Sequence, residues 1–222
     1  MPATLDDLME TASRALAELD YTRCEALCDD ALTRAREAED WVMYQRVLLP
    51  LQEARRQKRQ AALDGAIRLG VRQRPADMNE LVPEGGAGCL VLTHCCDALD
   101  ATNILSAASA SFELLYADNA IEAETWTIVS VRNAVYTVEM PAPAGPLQDL
   151  WLASGADQLD AAHYFMQASE ALGDAALASV GSTPGTLQHL LDLEHALDAA
   201  GDHELLHQAL AAAAKALHEA RR

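Results

Sequence analysis

From residue 5 to residue 37 the apolar positions recur three and four apart, with a break at Asp20-Tyr21. That spacing lays one apolar stripe along each of two successive helices and predicts a helical hairpin. Residues 41–70 continue the helical pattern. Pro50 lacks an amide hydrogen and crowds the carbonyl four residues back, so the first helix of that stretch is expected to end or kink there. An imperfect hairpin is expected from about Asp157 through Glu170-Ala171-Leu172-Gly173-Asp174, cut short by Gly181-Ser182-Thr183-Pro184-Gly185.

The middle of the chain changes period. Residues 89–93 are a short apolar run after Gly85-Gly86-Ala87-Gly88, which predicts a buried strand behind a turn. Residues 98–111 return to helical spacing and 112–116 read as a second strand. Strand, helix and strand in that order suggest a parallel β-α-β unit. Residues 125–131 and 134–140 are then expected to pair as a hairpin through a two-residue Arg132-Asn133 turn. That register sets Val129 opposite Tyr136 and Thr127 opposite Val138 on one apolar face. Pro141-Ala142-Pro143-Ala144-Gly145-Pro146 closes the segment as a linker.

The two ends of the chain are related. An offset of 182 residues aligns Leu5, Leu8, Ala17, Asp20, Ala31, Glu37 and Ala38 with Leu187, Leu190, Ala199, Asp202, Ala213, Glu219 and Ala220, so a 34-residue unit occurs twice. Its second arm, Asp20-Tyr21-Thr22-Arg23-Cys24-Glu25-Ala26-Leu27-Cys28-Asp29-Asp30-Ala31-Leu32, resembles the second helix of a tetratricopeptide repeat. In that resemblance Cys24 and Ala31 take the family's small-residue positions, Cys28 stands where the family has an aromatic residue, and Leu8, Ala12 and Ala15 take the packing positions of the first helix. Small residues let paired helices approach closely, while bulkier ones fill the gaps between repeats. The resemblance covers about residues 5–39 and 187–220, and implies a concave helical surface for a peptide or protein. Chaperone-binding members grip a terminal carboxylate with Lys and Asn; Met9 and Ser13 stand at those positions, so that partner class is not expected.

Charge changes the picture of partners. The net charge of −18 sets a repulsive mean field against phosphate backbones and anionic membranes, so neither nucleic acid nor membrane is an expected partner. Residues 46–74 depart from it, with eight basic residues against Glu53 and Asp64; that is +6 locally and leaves −24 for the rest. Half of the residues are apolar and only 5% aromatic, so the core is built chiefly from Ala and Leu, which favours helices. No window approaches the roughly 18 apolar residues of a membrane span. The first nine residues are acidic where a secretory signal is basic, and the five cysteines are odd in number; a cytoplasmic protein with reduced thiols is expected.

Four constellations carry candidate chemistry. Arg55-Arg56-Gln57-Lys58-Arg59 puts Arg55, Arg56, Lys58 and Arg59 in a basic stripe suited either to a carboxylate-rich partner or to the chain's own acidic surface. His203-Glu204-Leu205-Leu206-His207 has the H-E-x-x-H pattern, in which two histidines one helical turn apart bind zinc and the glutamate activates a water. As repeat positions, the same histidines are expected to face solvent on an acidic helix. Thr93-His94-Cys95-Cys96-Asp97, with Asp100, sits at the carboxyl end of the first predicted strand, where open α/β sheets gather ligands; thiol or metal chemistry and a plain strand-to-helix turn are both open. Cys24 and Cys28 are read as core thiols.

The expected architecture is α+β and mainly α, with tetratricopeptide-like hairpins in residues 1–74 and 147–222 flanking a small α/β module in residues 75–146. The expected function is non-catalytic binding of a protein or peptide by the helical repeats, with Arg55, Arg56, Lys58 and Arg59 as partner-binding residues and no cofactor. A zinc-dependent hydrolase built on His203, Glu204 and His207 is the alternative. Open sheet edges also suggest a homodimer.

Overall fold

A computed structural model describes residues 4–93, 95–108, 111–118, 124–131, 135–143 and 151–221. The chain is α+β and mainly α, with a five-stranded mixed sheet in its middle. It divides into two compact units: residues 1–58 with 176–222, and residues 59–175.

In the first unit, α1 (Leu5–Ala17) and α2 (Tyr21–Glu37) pack as the expected hairpin, followed by α3 (Trp41–Leu63), whose residues through Lys58 belong here. Local chemistry sets each boundary. Thr4 and Asp7 form a capping box at the start of α1, and Asp20 caps α2 by accepting the Arg23 amide hydrogen at 3.1 Å. Leu19 turns the chain between the helices with φ +62°, a left-handed conformation that residues other than glycine seldom adopt. Leu8, Ala12, Ala15, Cys24, Cys28 and Ala31 are all buried, so the two cysteines are core thiols as expected. Pro50 does not end α3. Val47, Leu48, Leu51 and Ala54 are buried to either side of it, and that packing outweighs the one backbone hydrogen bond proline removes.

At the other end α6 (Leu187–Leu197) and α7 (Glu204–Glu219) pack as a second hairpin. The 182-residue offset carries the start of α1 onto the start of α6 and the end of α2 onto the end of α7. Both ends of the chain thus contribute to one unit. Tyr44 donates from its hydroxyl to Glu194 at 2.7 Å, Arg36 pairs with the same carboxylate, and Arg221 lies 5.8 Å from the centre of the Trp41 ring.

The second unit holds the sheet, in the order β1 (Ala66–Leu69), β2 (Gly88–Thr93), β3 (Phe112–Ala117), β4 (Thr125–Val129) and β5 (Thr137–Pro141). β1, β2 and β3 are parallel, and β4 and β5 are antiparallel additions. The expected β-α-β unit is present, with α4 (Ala98–Ala107) between β2 and β3. β2 is buried at every position because both faces are covered. Cys89 and Val91 pack into a core with Trp126, Ile128 and Phe165, the last from α5 (Ala156–Ser179). Leu90 and Leu92 pack oppositely with Ile104 of α4, Leu81 and Val71.

Three expectations need correction here. Residues 66–69 are a strand, not a continuation of the helical array: β1 pairs with β2, and the Ile67 amide bonds the Leu152 carbonyl at 2.9 Å. The imperfect hairpin around Gly173 is instead part of the continuous helix α5, because buried Ala168, Leu172 and Ala176 keep one face in register across the glycine. The β4–β5 register is displaced by one residue, with Ile128 opposite Val138 and Trp126 opposite Met140. Pairing Trp126 and Ile128 inward buries far more apolar surface than pairing Thr127 and Val129, and one residue of slip exchanges those faces. Arg132, Asn133 and the later part of the expected linker, Ala144-Gly145-Pro146, lie outside the described residues.

Candidate functional site

In the first unit α1 and α3 enclose an open groove with a volume of about 890 Å³. Its apolar lining comes from Met9 and Leu16 of α1 and from Leu49 and Pro50 of α3. Leu49 is 73% exposed and extends the apolar lining to the surface. The charged lining is Asp6, Glu10, Glu53 and Arg46, while Arg14 and Arg56, outside the lining, pair with Glu10 at 3.0 Å and Glu53 at 2.8 Å. Asp6 and Arg46 approach to only 3.9 Å, and both side chains are well exposed. A groove with an apolar floor and an acidic rim follows from helical spacing, since Asp6, Met9, Glu10, Ser13 and Leu16 recur three or four apart on α1.

The predicted basic stripe meets a different environment. Arg55 donates through Nε to Glu25 at 2.8 Å, through Nη2 to Asp29 at 3.0 Å and through Nη1 to the Gly201 carbonyl at 3.2 Å. Lys58 bonds the second oxygen of Glu25. Burial pushes the Glu25 carboxyl up, but its bonds and charge interactions with Lys58 and Arg55 outweigh this and hold it below the ordinary glutamate range. Arg56 is 65% exposed and pairs with Glu53 one turn back on α3, while Arg59 is buried. The sequence therefore places four cations in a row, and the structure spreads them over unlike roles.

Next to Arg55 lies a polar cleft of about 390 Å³ between α2, α3, α6 and α7, lined among others by Arg36, Tyr44, Glu194 and Asp198. Arg36 and Tyr44 both engage Glu194 there, and Arg55 engages Asp29. The charges of this cleft serve to join the two hairpins.

The H-E-x-x-H residues begin α7. His203 and His207 are 2% and 3% exposed, which corrects the expectation of two solvent-facing histidines. His203 is the N-cap, its Nδ1 accepting from the Leu206 amide at 3.4 Å, and so it precedes the helix. His207 Nε2 lies 2.9 Å from the Gly201 carbonyl and donates to it. Burial pushes His207 down to about 4, so the ring is neutral at physiological pH. Glu204 is exposed and accepts from Gln208 at 2.8 Å. Among the described residues no group of three or more His, Cys, Asp and Glu side chains is placed to hold a metal ion.

In the second unit Cys95 and Cys96 occupy the turn from β2 into α4, with their sulfurs 3.8 Å apart. His94 lies outside the described residues. Asp97 caps α4 and Asp100 completes the capping box while pairing with Arg74. Both aspartates thus serve the strand-to-helix turn, the Asp97 amide donating to Asp100 at 3.1 Å and the Asp100 amide to Asp97 at 2.9 Å.

Sequence reasoning missed the groove, because Leu49 follows a helical stripe and only its exposure distinguishes it. The adjacent Leu48-Leu49-Pro50-Leu51 run was the available signal, since its four apolar residues cannot all face one core. Among the described residues no helix is long and apolar enough to cross a membrane. No protein-family model, curated protein or solved structure matches the chain.

Proposed function

We propose that the chain is a non-catalytic binding protein that seats a cationic, apolar peptide segment of a protein partner in the α1–α3 groove. The observation that carries this reading is Leu49, 73% exposed within an apolar groove of about 890 Å³. A contiguous apolar groove rimmed by polar residues, here Met9, Leu16, Leu49 and Pro50, is a mark of interaction sites. The occupant's charge is argued from the lining, which holds three carboxylates and one arginine, with Arg14 and Arg56 pairing Glu10 and Glu53 from outside it.

A tetratricopeptide-like design for the two hairpins is part of the same proposal. It is supported by the burial of Leu8, Ala12, Ala15, Cys24, Cys28 and Ala31 at the positions the resemblance assigns to packing. The second hairpin departs from it at Glu194, which stands where the offset expects the counterpart of Ala12. The basic stripe takes no part in seating a cationic segment: Arg55 and Lys58 hold Glu25, and Arg56 pairs with Glu53. The zinc-hydrolase alternative draws no support from His203 as a helix cap or from Glu204 on the exposed side of α7.

Two fluorescent amphipathic peptides of equal length and leucine content test the reading, one carrying lysines and the other glutamates. Anisotropy is expected to rise with the lysine peptide only, less at high salt, and Leu49→Asp is expected to weaken binding at least about tenfold, or about 1.4 kcal/mol. Equal binding of both peptides, or of wild type and Leu49→Asp, contradicts it.

A further inference from the structure

Consecutive residues in a strand point to opposite faces. At the end of β2 the chain leaves the strand in a turn, in which the Cys96 amide donates to the Thr93 carbonyl at 3.0 Å. That turn brings two adjacent thiols to a separation of 3.8 Å. The Cys95 thiol is partly exposed and donates to the Val71 carbonyl at 2.9 Å, which fixes its direction; Cys96 is buried behind it. Cys24, Cys28 and Cys89 are wholly buried in packed cores. The pair also sits at the carboxyl end of the parallel strands, the side of an open α/β sheet where ligands approach.

We propose that Cys95 and Cys96 form a reversible dithiol–disulfide couple, oxidised by exchange with a small disulfide of the glutathione class. Cys95, the accessible member, attacks one sulfur of the small disulfide as its thiolate, forming a mixed disulfide and releasing one small thiolate. Cys96 then attacks the Cys95 sulfur, the mixed disulfide breaks, and the second small thiolate leaves. The two protons lost from Cys95 and Cys96 end on the two released thiols, so one small disulfide is reduced for each protein disulfide formed.

The division of labour follows from the surroundings. Burial pushes the Cys96 thiol up to about 12, and the neighbouring Cys95 and Asp100 add to this against Arg74. Cys96 therefore does not initiate. Conversion of Cys95 to a mixed disulfide removes its negative charge, and with it one of the effects that keep Cys96 protonated. Adjacent α-carbons are about 3.8 Å apart, short of the usual disulfide span of about 4.4–6.8 Å, which makes such a bond readily reducible. Reversibility is the property expected of a labile, regulatory disulfide.

The full-length protein, equilibrated natively with mixtures of reduced and oxidised glutathione, quenched in acid, alkylated and mapped by mass spectrometry, provides the test. The expected result is a Cys95–Cys96 peptide lighter by two hydrogens at high oxidised glutathione, restored on return to reduced glutathione, with the other three cysteines unreacted until unfolding. Cys96→Ser is expected to stop at Cys95 carrying one glutathione, and Cys95→Ser to carry none. Both thiols free across the whole range, stable glutathione on both, a disulfide between two chains, or Cys95→Ser reacting as fast as wild type each overturns the proposal. The wild-type result stands without the variants, so a variant that fails to fold does not blunt the test.

Discussion

Arg55 shows how one side chain decides between a binding role and a folding role. Its three donors reach α2 and the turn before α7, and its side chain is only 18% exposed. Removing it leaves Glu25, itself 15% exposed, with Lys58 alone. Arg55→Met is expected to lower the unfolding free energy by about 2–3 kcal/mol, whereas Arg56→Ala is expected to change it by less than about 1 kcal/mol. Urea unfolding of the two variants decides the matter; equal effects would place both arginines on the surface. Charge reversal at Arg55 therefore reports on folding, and only at Arg56 does it probe the exposed part of the stripe.

His207 makes stability depend on pH in a definite direction. Its buried ring is pushed from 6.5 down to about 4, so between those values the unfolded chain takes up a proton that the folded one refuses. The contribution is fully present above about pH 6.5 and is lost as pH falls toward 4. The two pKa values differ by about 2.5, which corresponds to about 3 kcal/mol. His207→Gln keeps a donor near the Gly201 carbonyl without the titration, and is expected to be less sensitive than wild type to acidification from pH 7 to 4 by about that amount. Glu25 acts in the same direction but lower, below the ordinary glutamate range, so it does not obscure the upper part of the window. Parallel pH profiles of the two proteins would contradict this account.

At the scale of elements, Gly88 limits how β1 and β2 come together. A Cβ on Gly88 would stand 2.3 Å from the Ala66 carbonyl oxygen, which is backbone of the paired strand and cannot rotate away. Gly88→Ala is expected to cost about 1–3 kcal/mol, the range of overpacked cores, with lost protection of β1 and β2 amides in hydrogen exchange. Unchanged stability and protection would show that the strands separate more easily than their packing implies.

The elements differ in how far the sequence revealed them, for physical reasons. α1 and α2 were legible because the stripes and the Asp20 cap are local signals, and β2 because its run is buried on both faces. β1 was not, since Ala66–Leu69 follows the long helix α3 with no proline between them and is fixed by partners distant in sequence. The β4 register failed because alternation alone does not distinguish a Trp126–Ile128 face from a Thr127–Val129 face until the opposing core is known. For the candidate site, the sequence displayed charge and motif, while the groove depends on exposure, which only tertiary packing determines.

At the scale of the whole molecule, charge is divided between two units. Counting residues 1–58 and 176–222 gives 11 basic and 18 acidic side chains, or −7, and the remaining −11 of the total −18 belongs to residues 59–175. The groove therefore lies in the less acidic unit, and the cation preference proposed for it rests on Asp6, Glu10 and Glu53 locally as well as on the mean field. In the same unit the cations of α2 and α3 are largely engaged with acidic neighbours, as in Arg34 with Asp30 and Arg55 with Glu25. A single peptide-binding surface is thus compatible with a chain of high net negative charge.

Methyl-selective NMR of the full-length protein titrated with the lysine–leucine peptide tests the central claim most directly. The groove account predicts saturable shifts at the methyl groups of Met9, Leu16 and Leu49, and their loss in Leu49→Asp, with Leu159 and Met166 of the second unit unmoved. Shifts confined to Leu159 and Met166, or no shifts at peptide concentrations that saturate anisotropy, would contradict it.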